Sequence, residues 1–400
     1  MSNTYLIIGA SAACLGVAYR LRMLNKHARI ICISSEVEDP YNKCLIVDYL
    51  AGKKNRSEVL TLTEQQARTH TIERILGFQV TTIDVRTQKI IGSDNALSRQ
   101  SSHQIDINYD VLCIATGCRP RIPSTIEKNI QGIFSFYSLA DVEAMRVYIA
   151  TYRVKTAVII GAGFTGMEAA DALAQHQIHV ILVDQAQQVL PSAIDQNASV
   201  FIESLMQKHG ACFYPQTSVI YIEDKDKQIV SVTLSDGRTI ATNMVIYAIG
   251  SQPNTEFAQQ AGIQLRNGYI AVNKQMQTNI SNIYAAGDCA VLPGMSYPSF
   301  TWPIAMYQGT IAAYSMIGQT KEYITAPAII SSAFFGIKFA SCGVIQPPDD
   351  IDNTSQYTIT VQAGQGFYHY LVHEGTTLRG FVLIGNTQRL AELRRTIVIE

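Results

Sequence analysis

No stretch of this 400-residue chain supplies the roughly 20 consecutive apolar residues that a bilayer-spanning helix needs, so no membrane segment is expected. An excess of one charge is also lacking. Lys and Arg number 31 against 32 Asp and Glu, and the basic face of a nucleic-acid binder is absent. Cysteine occurs eight times, yet never as CxxC and never at a zinc-site spacing with histidine, so no metal centre is expected. Disorder is excluded from the other side: 47% of the residues are hydrophobic and 16% charged, a balance that builds buried cores. The first apolar run, TYLIIGASAAC, lacks a basic leader and is broken by Gly and Ser. The expectation is therefore a cytoplasmic protein with reduced thiols. The length exceeds the roughly 250 to 300 residues at which single cores stop growing, which predicts two or three domains. A small-molecule or protein partner is expected.

What the chain does contain is an internal echo. YLIIGASAACLGVAYRLR near the start and AVIIGAGFTGMEAADALA in the middle both read as a buried strand, a Gly-rich turn and an Ala-rich helix. Each is followed by a second apolar strand ending near an acid, Glu36 after RIICISSE and Asp184 after HVILVD. This is the βαβ unit that binds a dinucleotide. Its first Gly makes the tight turn, its second small residue admits the pyrophosphate, and its third lets the helix pack on the strand. The helix N-terminus adds partial positive charge. The second copy is intact at Gly161, Gly163 and Gly166; the first is degraded to Gly9, Ser11 and Cys14. The structural alternative for both is a doubly wound fold whose glycines only make turns.

Three more segments complete the layout. YDVLCIATGCRPRIP (Tyr109 to Pro123) is a strand with a Gly/Pro-punctuated exit, and MVIYAIGSQPN (Met244 to Asn254) repeats that form as a return. SNIYAAGDCA (Ser281 to Ala290) is a strand that stops at Gly287 and Asp288, placing a carboxylate at the carboxyl end of a sheet. The predicted fold is α/β, with two Rossmann-like dinucleotide-binding domains, one inserted in the other, plus a small C-terminal α+β domain. The predicted boundaries are 1–117 with 249–321, then 118–248, then 322–400. In the last, FYHYLVHE and LRGFVLIG alternate like antiparallel strands.

Taken in order from residue 5 to about 318, these motifs resemble the FAD-dependent pyridine nucleotide-disulphide oxidoreductase superfamily. Within it the chain looks most like NADH:rubredoxin or ferredoxin reductases and the flavoprotein part of assimilatory nitrite reductase. The resemblance implies that the first unit holds FAD, with Gly9, Ser11 and Ala12 at the pyrophosphate, Glu36 on the adenosine ribose and Lys43 near the flavin nucleotide. Ala115, Thr116, Gly117, Gly250 and Gly287 join the cofactor-binding set, and Asp288 would bind the ribityl chain. The second unit would take the nicotinamide cofactor through Gly161, Gly163, Phe164, Thr165 and Gly166, with Asp184 on its 2′-hydroxyl. Asp184 is followed by QAQQ without Arg or Lys, so a 2′-phosphate would meet repulsion and NADH is favoured over NADPH. Trp302 and Pro303 open an apolar helix after Thr301 as N-cap, and in the family its N-terminus points at the pyrimidine side of the flavin. Its dipole would stabilise reduced flavin by about 0.3 to 2 kcal/mol; a capped core helix is the structural alternative. Phe164 falls where relatives often carry a ring that covers the flavin, with packing as its alternative role.

Two positions carry the catalytic question. Glu168 matches a family glutamate that touches nicotinamide or pairs with a flavin-side lysine, but Asp48 stands where that lysine would be, so the nicotinamide role is preferred. Cys44 in CLIVDYLAG aligns with the single redox cysteine of NADH oxidases, NADH peroxidases and coenzyme A-disulphide reductases, with Tyr49 on a family tyrosine. The Gly and Pro of that branch are Leu45 and Val47 here, and packing is the alternative. The expected function is NADH-dependent, FAD-mediated electron transfer to a small electron-carrier protein of rubredoxin or ferredoxin type, or to a small-molecule acceptor. A thiol-assisted oxidase, peroxidase or disulphide reductase using Cys44 is the alternative, and an NADH-responsive flavin-binding regulatory protein is a third. A monomer or small homo-oligomer is expected. Arg389 to Thr396, RLAELRRT, offers three arginines to an acidic carrier or simply a solvated helix face.

Overall fold

The computed structural model describes residues 3–94, 104–123, 130–325, 327–347 and 356–398. The chain forms two compact units, residues 1–46, 54–119 and 251–325 in the first, residues 47–53, 120–250 and 326–400 in the second.

In the first unit a five-stranded parallel sheet runs in the order Ile283–Ala285, Val111–Ile114, Thr4–Ile8, Arg29–Ile33, Ile72–Ile75. Its central strands are near-continuous apolar runs because both faces are covered; Leu6, Ile7, Ile33 and Ile114 are fully buried. Two helices, Ala12–Leu24 and Trp302–Met316, cross at close range through paired glycines. A Cβ on Gly16 would lie 2.2 Å from Met306 O, and one on Gly309 would lie 2.2 Å from Ala13 O. Small residues thus set the helix spacing, not an amphipathic stripe. A three-stranded antiparallel sheet, Phe78–Asp84, Lys89–Asp94 and Gln104–Asn108, completes this unit with a smaller one that includes Tyr269–Ala271.

The second unit repeats the parallel architecture in the order Ala211–Tyr214, His179–Val183, Thr156–Ile160, Met244–Tyr247, Ile133–Ser135. The helix Phe164–Ala174 follows its Gly-rich turn. The C-terminal segment forms a five-stranded antiparallel sheet ordered Ile330–Phe334, Ile337–Gly343, Thr377–Ile384, Phe367–Glu374, Tyr357–Gly364. Leu393 and Ile397, at the end of the chain, pack on it with Phe381 and Leu383. That sheet is tied to the nucleotide-type fold by buried polar bonds. Asp171 accepts from Phe335 N at 3.0 Å, Ser341 Oγ donates to Ala193 O at 2.6 Å, and Tyr368 donates to Asp195 at 2.7 Å. The fold class is the α/β arrangement expected from the sequence. Among the described residues no helix is long and apolar enough to cross a membrane.

Candidate functional site

In the first unit the expected residues gather at the carboxyl ends of the parallel strands. Strand Thr4–Ile8 feeds its helix on one side and pairs with Val111–Ile114 on the other, so its end is a topological switch point where ligands of open α/β sheets sit. Gly9 has φ +124°, and a Cβ there would lie 2.1 Å from Ala115 O, so the turn requires glycine on both counts. Ser11 is the N-cap of Ala12–Leu24 but makes no side-chain cap bond, and no acid occupies the first turn. The amides that a helix cannot satisfy internally therefore face an end without negative charge, a fit for a diphosphate. Glu36 accepts a 2.7 Å hydrogen bond from the Tyr41 hydroxyl, with Lys43 Nζ at 4.0 Å. Thr116 and Asn254 exchange hydrogen bonds, Thr116 Oγ1 to Asn254 O at 2.8 Å and Asn254 Nδ2 to Thr116 O at 3.1 Å, which fixes the exit after Ala115. Gly117 follows with φ +59°.

Gly287 donates its N–H to Gln308 Oε1 at 2.8 Å, and a Cβ on it would approach Ala13 Cβ at 3.0 Å. Asp288 is thereby delivered beside the first helix. Burial pushes its carboxyl up to about 6, and only the Lys43 ammonium opposes the shift. A half-buried acid of this kind is suited to accept hydrogen bonds from a polyol. The helix Trp302–Met316 begins at Thr301, with Pro303 in the first turn as expected; Thr301 makes no side-chain cap bond. Cys44 is exposed on a 3-10 turn, Lys43–Leu45, and its N–H donates to Asn42 Oδ1 at 2.9 Å.

In the second unit Gly161 has φ +108°, with a Cβ position 2.3 Å from Ala248 O, and a Cβ on Gly166 would lie 1.9 Å from Gly161 O. Gly163 differs. Its φ is −76° and nothing of the protein lies within 4 Å of a Cβ there, so the chain itself does not demand glycine. Space left open at that position fits the close approach of a ligand diphosphate. Asp184 accepts from Ala162 N at 2.7 Å and Ala186 N at 2.8 Å, which holds its carboxylate against the turn. Thr165 is exposed, and Gly250, with φ +96°, accepts from Arg121 N at 2.9 Å. Phe164 packs its ring 6.1 Å from Phe334 and 5.7 Å from Phe339 of the C-terminal sheet.

Glu168 lies half-buried on the helix Phe164–Ala174. Burial raises its carboxyl to about 7, a hydrogen bond with Ser332 lowers it, and the nearby Asp48 carboxylate raises it again. The segment around Asp48 is held to this unit at three points. The Arg146 guanidinium sits 4.4 Å over the Tyr49 ring and donates to Tyr49 O, His176 Nε2 donates to Leu50 O at 2.6 Å, and Lys53 Nζ lies 3.6 Å from Asp171. An acid thus faces Glu168 where the family pattern has a lysine.

Sequence reasoning missed several of these partners. Tyr41 and Asn42 precede Lys43 without a motif of their own, and Asn42 Oδ1 caps Cys44 N. Gln308 could have been found as a polar residue in an otherwise apolar helix. Ser332, Arg146 and His176 carried no motif, and His176 is exposed yet bonded to Leu50 O.

Two glycine turns, each at the carboxyl end of a parallel sheet with an acid one strand further on, define a protein with two dinucleotide sites. The chain belongs to the pyridine nucleotide-disulphide oxidoreductase family, whose pattern matches residues 3–309. It is an enzyme, and its cofactors are FAD and NADH. It is 32% identical to the NADH oxidase of Methanocaldococcus jannaschii over 80% of this chain and 71% of that one. It is 28% identical to the rubredoxin-NAD(+) reductase of Acinetobacter baylyi over 98% of this chain and 97% of that one. A ferredoxin reductase of Rhodopseudomonas palustris for the CYP199A2 system superposes with a TM-score of 0.86 at 23% identity, covering 98% of this chain and 94% of the other.

Proposed function

We propose that this enzyme takes hydride from NADH onto FAD and passes the electrons singly to a small electron-carrier protein of rubredoxin or ferredoxin type. FAD supplies the conversion between two-electron and one-electron chemistry, and the protein supplies orientation and electrostatics. In this reading Gly9, Ser11 and Ala12 receive the FAD pyrophosphate, Glu36 the adenosine ribose and Asp288 the ribityl chain. Ala115, Thr116, Gly117 and Gly287 wall the pocket, and Trp302 and Pro303 present a helix N-terminus to the pyrimidine. Gly161, Gly163, Thr165 and Gly166 receive NADH, Asp184 its adenosine ribose and Glu168 its nicotinamide.

One observation carries the choice of acceptor. The segment after the first nucleotide strand bears a single thiol, Cys44, and a contacting cysteine pair, Cys14 and Cys32 with their sulfurs 3.3 Å apart, is buried within the first unit. The bond to Cys32, followed by burial, raises the Cys14 thiol well above its ordinary range, which disfavours the reactive thiolate. A contacting pair held in the core is a poor entry point for flavin electrons, which favours an external acceptor. The full-length likeness to a rubredoxin-NAD(+) reductase supports the same reading. An anaerobic NADH titration is expected to reduce the flavin with about two electrons and no more. Cys44→Ser should leave that stoichiometry and NADH-ferricyanide turnover unchanged within about twofold.

The exposure of Cys44 favours one alternative, a thiol-assisted NADH oxidase or disulphide reductase. That enzyme would take up about two further electrons, which Cys44→Ser would remove. Finding those electrons in the native protein and losing them in the variant would displace the carrier reading.

A further inference from the structure

The parallel sheet of the second unit carries a cleft of about 350 Å³ at the end opposite its Gly161 turn. Thr156, on the cleft, opens the strand Thr156–Ile160, and Gly161 follows that strand, so the two ends lie roughly 16 Å apart along it. Arg153 and Lys155 stand at the rim, on the three residues that join the helix Leu139–Tyr152 to the strand. Ile229, Val230 and Ala241 make an apolar wall, and Asn243 adds a polar edge. The charge on this rim is uncompensated. Among the described residues the side chains of Arg153 and Lys155 make no ion pair and no hydrogen bond. The cleft segments 153–156, 229–230 and 241–243 hold no Asp or Glu, and neither do the neighbouring strand starts at 177–180 and 208–212. In a chain whose formal net charge is −1, that is a local segregation of cations. Arg153 is also placed against its backbone preference: it holds φ +48° at the end of the helix, where glycine is the usual residue. Its guanidinium does not bond the last helix carbonyls, so capping does not account for it.

We propose that this cleft binds a small phosphomonoester, with the phosphate between Arg153 and Lys155 and the organic body against Ile229, Val230 and Ala241. Charge selects the anion. A phosphomonoester carries about −1.5 to −2 at pH 7 and so balances two cations, whereas a carboxylate brings a single charge. The guanidinium fork also matches two phosphate oxygens at once, and the lysine adds a point charge. The wall selects the body: Val230 is 41% exposed although it lies on the middle strand of its sheet, and an apolar or ring-shaped group would cover it. The volume falls within the roughly 300 to 1,000 Å³ of small-molecule sites. Because the cleft and the Gly161 turn occupy opposite ends of one sheet, its occupant does not compete with NADH. The site is independent of which acceptor receives the electrons.

The test is isothermal titration of the FAD-loaded enzyme, with NAD+ saturating so that the nicotinamide site is filled. The probes are phenyl phosphate, inorganic phosphate, which lacks the body, and phenol, which lacks the charge. Phenyl phosphate should bind once per chain and about tenfold or more tighter than inorganic phosphate, while phenol should not bind measurably. Added salt should weaken phenyl phosphate binding, since the rim is exposed and its charges are screened. Arg153→Gln with Lys155→Gln should weaken it about tenfold or more, because both counter-charges are lost, and should leave flavin content and the KM for NADH unchanged. Native and double variant binding phenyl phosphate equally, or no saturable binding by the native enzyme up to about 10 mM, overturns the proposal. Inorganic phosphate binding as tightly as phenyl phosphate overturns it too, since the apolar wall then recognises nothing. If the double variant does not fold, Lys155→Gln alone decides, because its side chain is exposed; an affinity within about twofold of native then overturns the proposal equally.

Discussion

Gly166→Ala should abolish NADH-driven bleaching of the flavin, lowering its rate by about 100-fold or more, while the protein stays yellow and is still reduced by dithionite. The added Cβ would stand 1.9 Å from Gly161 O and 3.0 Å from its carbonyl carbon, both backbone atoms that cannot rotate away. The turn and the helix must therefore separate by more than an ångström, and a displacement of that size at a binding turn costs on the order of 100-fold in rate. Overpacking of this kind also destabilises by about 1 to 3 kcal/mol. Flavin retention is expected because the Gly9 turn belongs to the other compact unit. Gly163→Ala is the informative companion. Its Cβ meets nothing of the protein, so thermal stability should be unchanged while the KM for NADH rises. If Gly163→Ala leaves NADH use intact, or Gly166→Ala remains fully active, the second turn is not where NADH binds.

The contrast between these glycines marks how far the sequence alone could reach. The two turns, the parallel strands around them and the α/β class were legible because each depends on local chemistry: an unbroken apolar run, a residue able to take positive φ, and an acid one strand later. Fixing the strand order of each sheet and the pairing of Gly16 with Met306 and Gly309 with Ala13 requires the fold, since nothing in a helix with small residues on its surface states which helix it meets. The same limit applies at the site. Cys44 was visible as a lone thiol, but its N–H bond to Asn42 and its exposure were not. Glu168 was legible as a match to a family glutamate and Asp48 as a departure from the family's lysine. Their proximity depends on Arg146, His176 and Lys53 gripping the segment around Tyr49, residues that belong to no motif and are scattered over more than 100 positions.

That proximity predicts a pH dependence with a definite sign. Glu168 is raised from its ordinary value of 4.5 to about 7 by burial first, with Asp48 adding to the shift and Ser332 opposing it. A carboxyl raised on folding makes its full contribution to stability below about pH 4.5 and loses it as pH rises through about 7, because the folded state then has to release a proton it holds more tightly than the unfolded chain does. Glu168→Gln copies the protonated form at every pH. Below about pH 5 the variant and the native enzyme should therefore melt within about a degree of each other, whereas at pH 8 the variant should be the more stable. A shift of this size corresponds to about 3 kcal/mol at most, and solvent reaching a half-buried group reduces this to on the order of 1 to 2 kcal/mol. Asp48→Asn should act in the same direction and more weakly, since it removes only the smaller of the two raising influences. The measurement is the melting temperature of the FAD-loaded enzyme from pH 5 to pH 8, native against both variants. Parallel curves with no divergence near pH 7 would mean that Glu168 ionises as an ordinary solvated acid. A Gln variant less stable than native at pH 8 would mean instead that the ionised carboxylate has a cationic partner. The stability scan also separates this effect from any change in turnover: if Glu168 meets the nicotinamide as proposed, the Gln variant alters the KM for NADH as well as the melting temperature at pH 8, whereas a Glu168 that only packs alters the melting temperature alone.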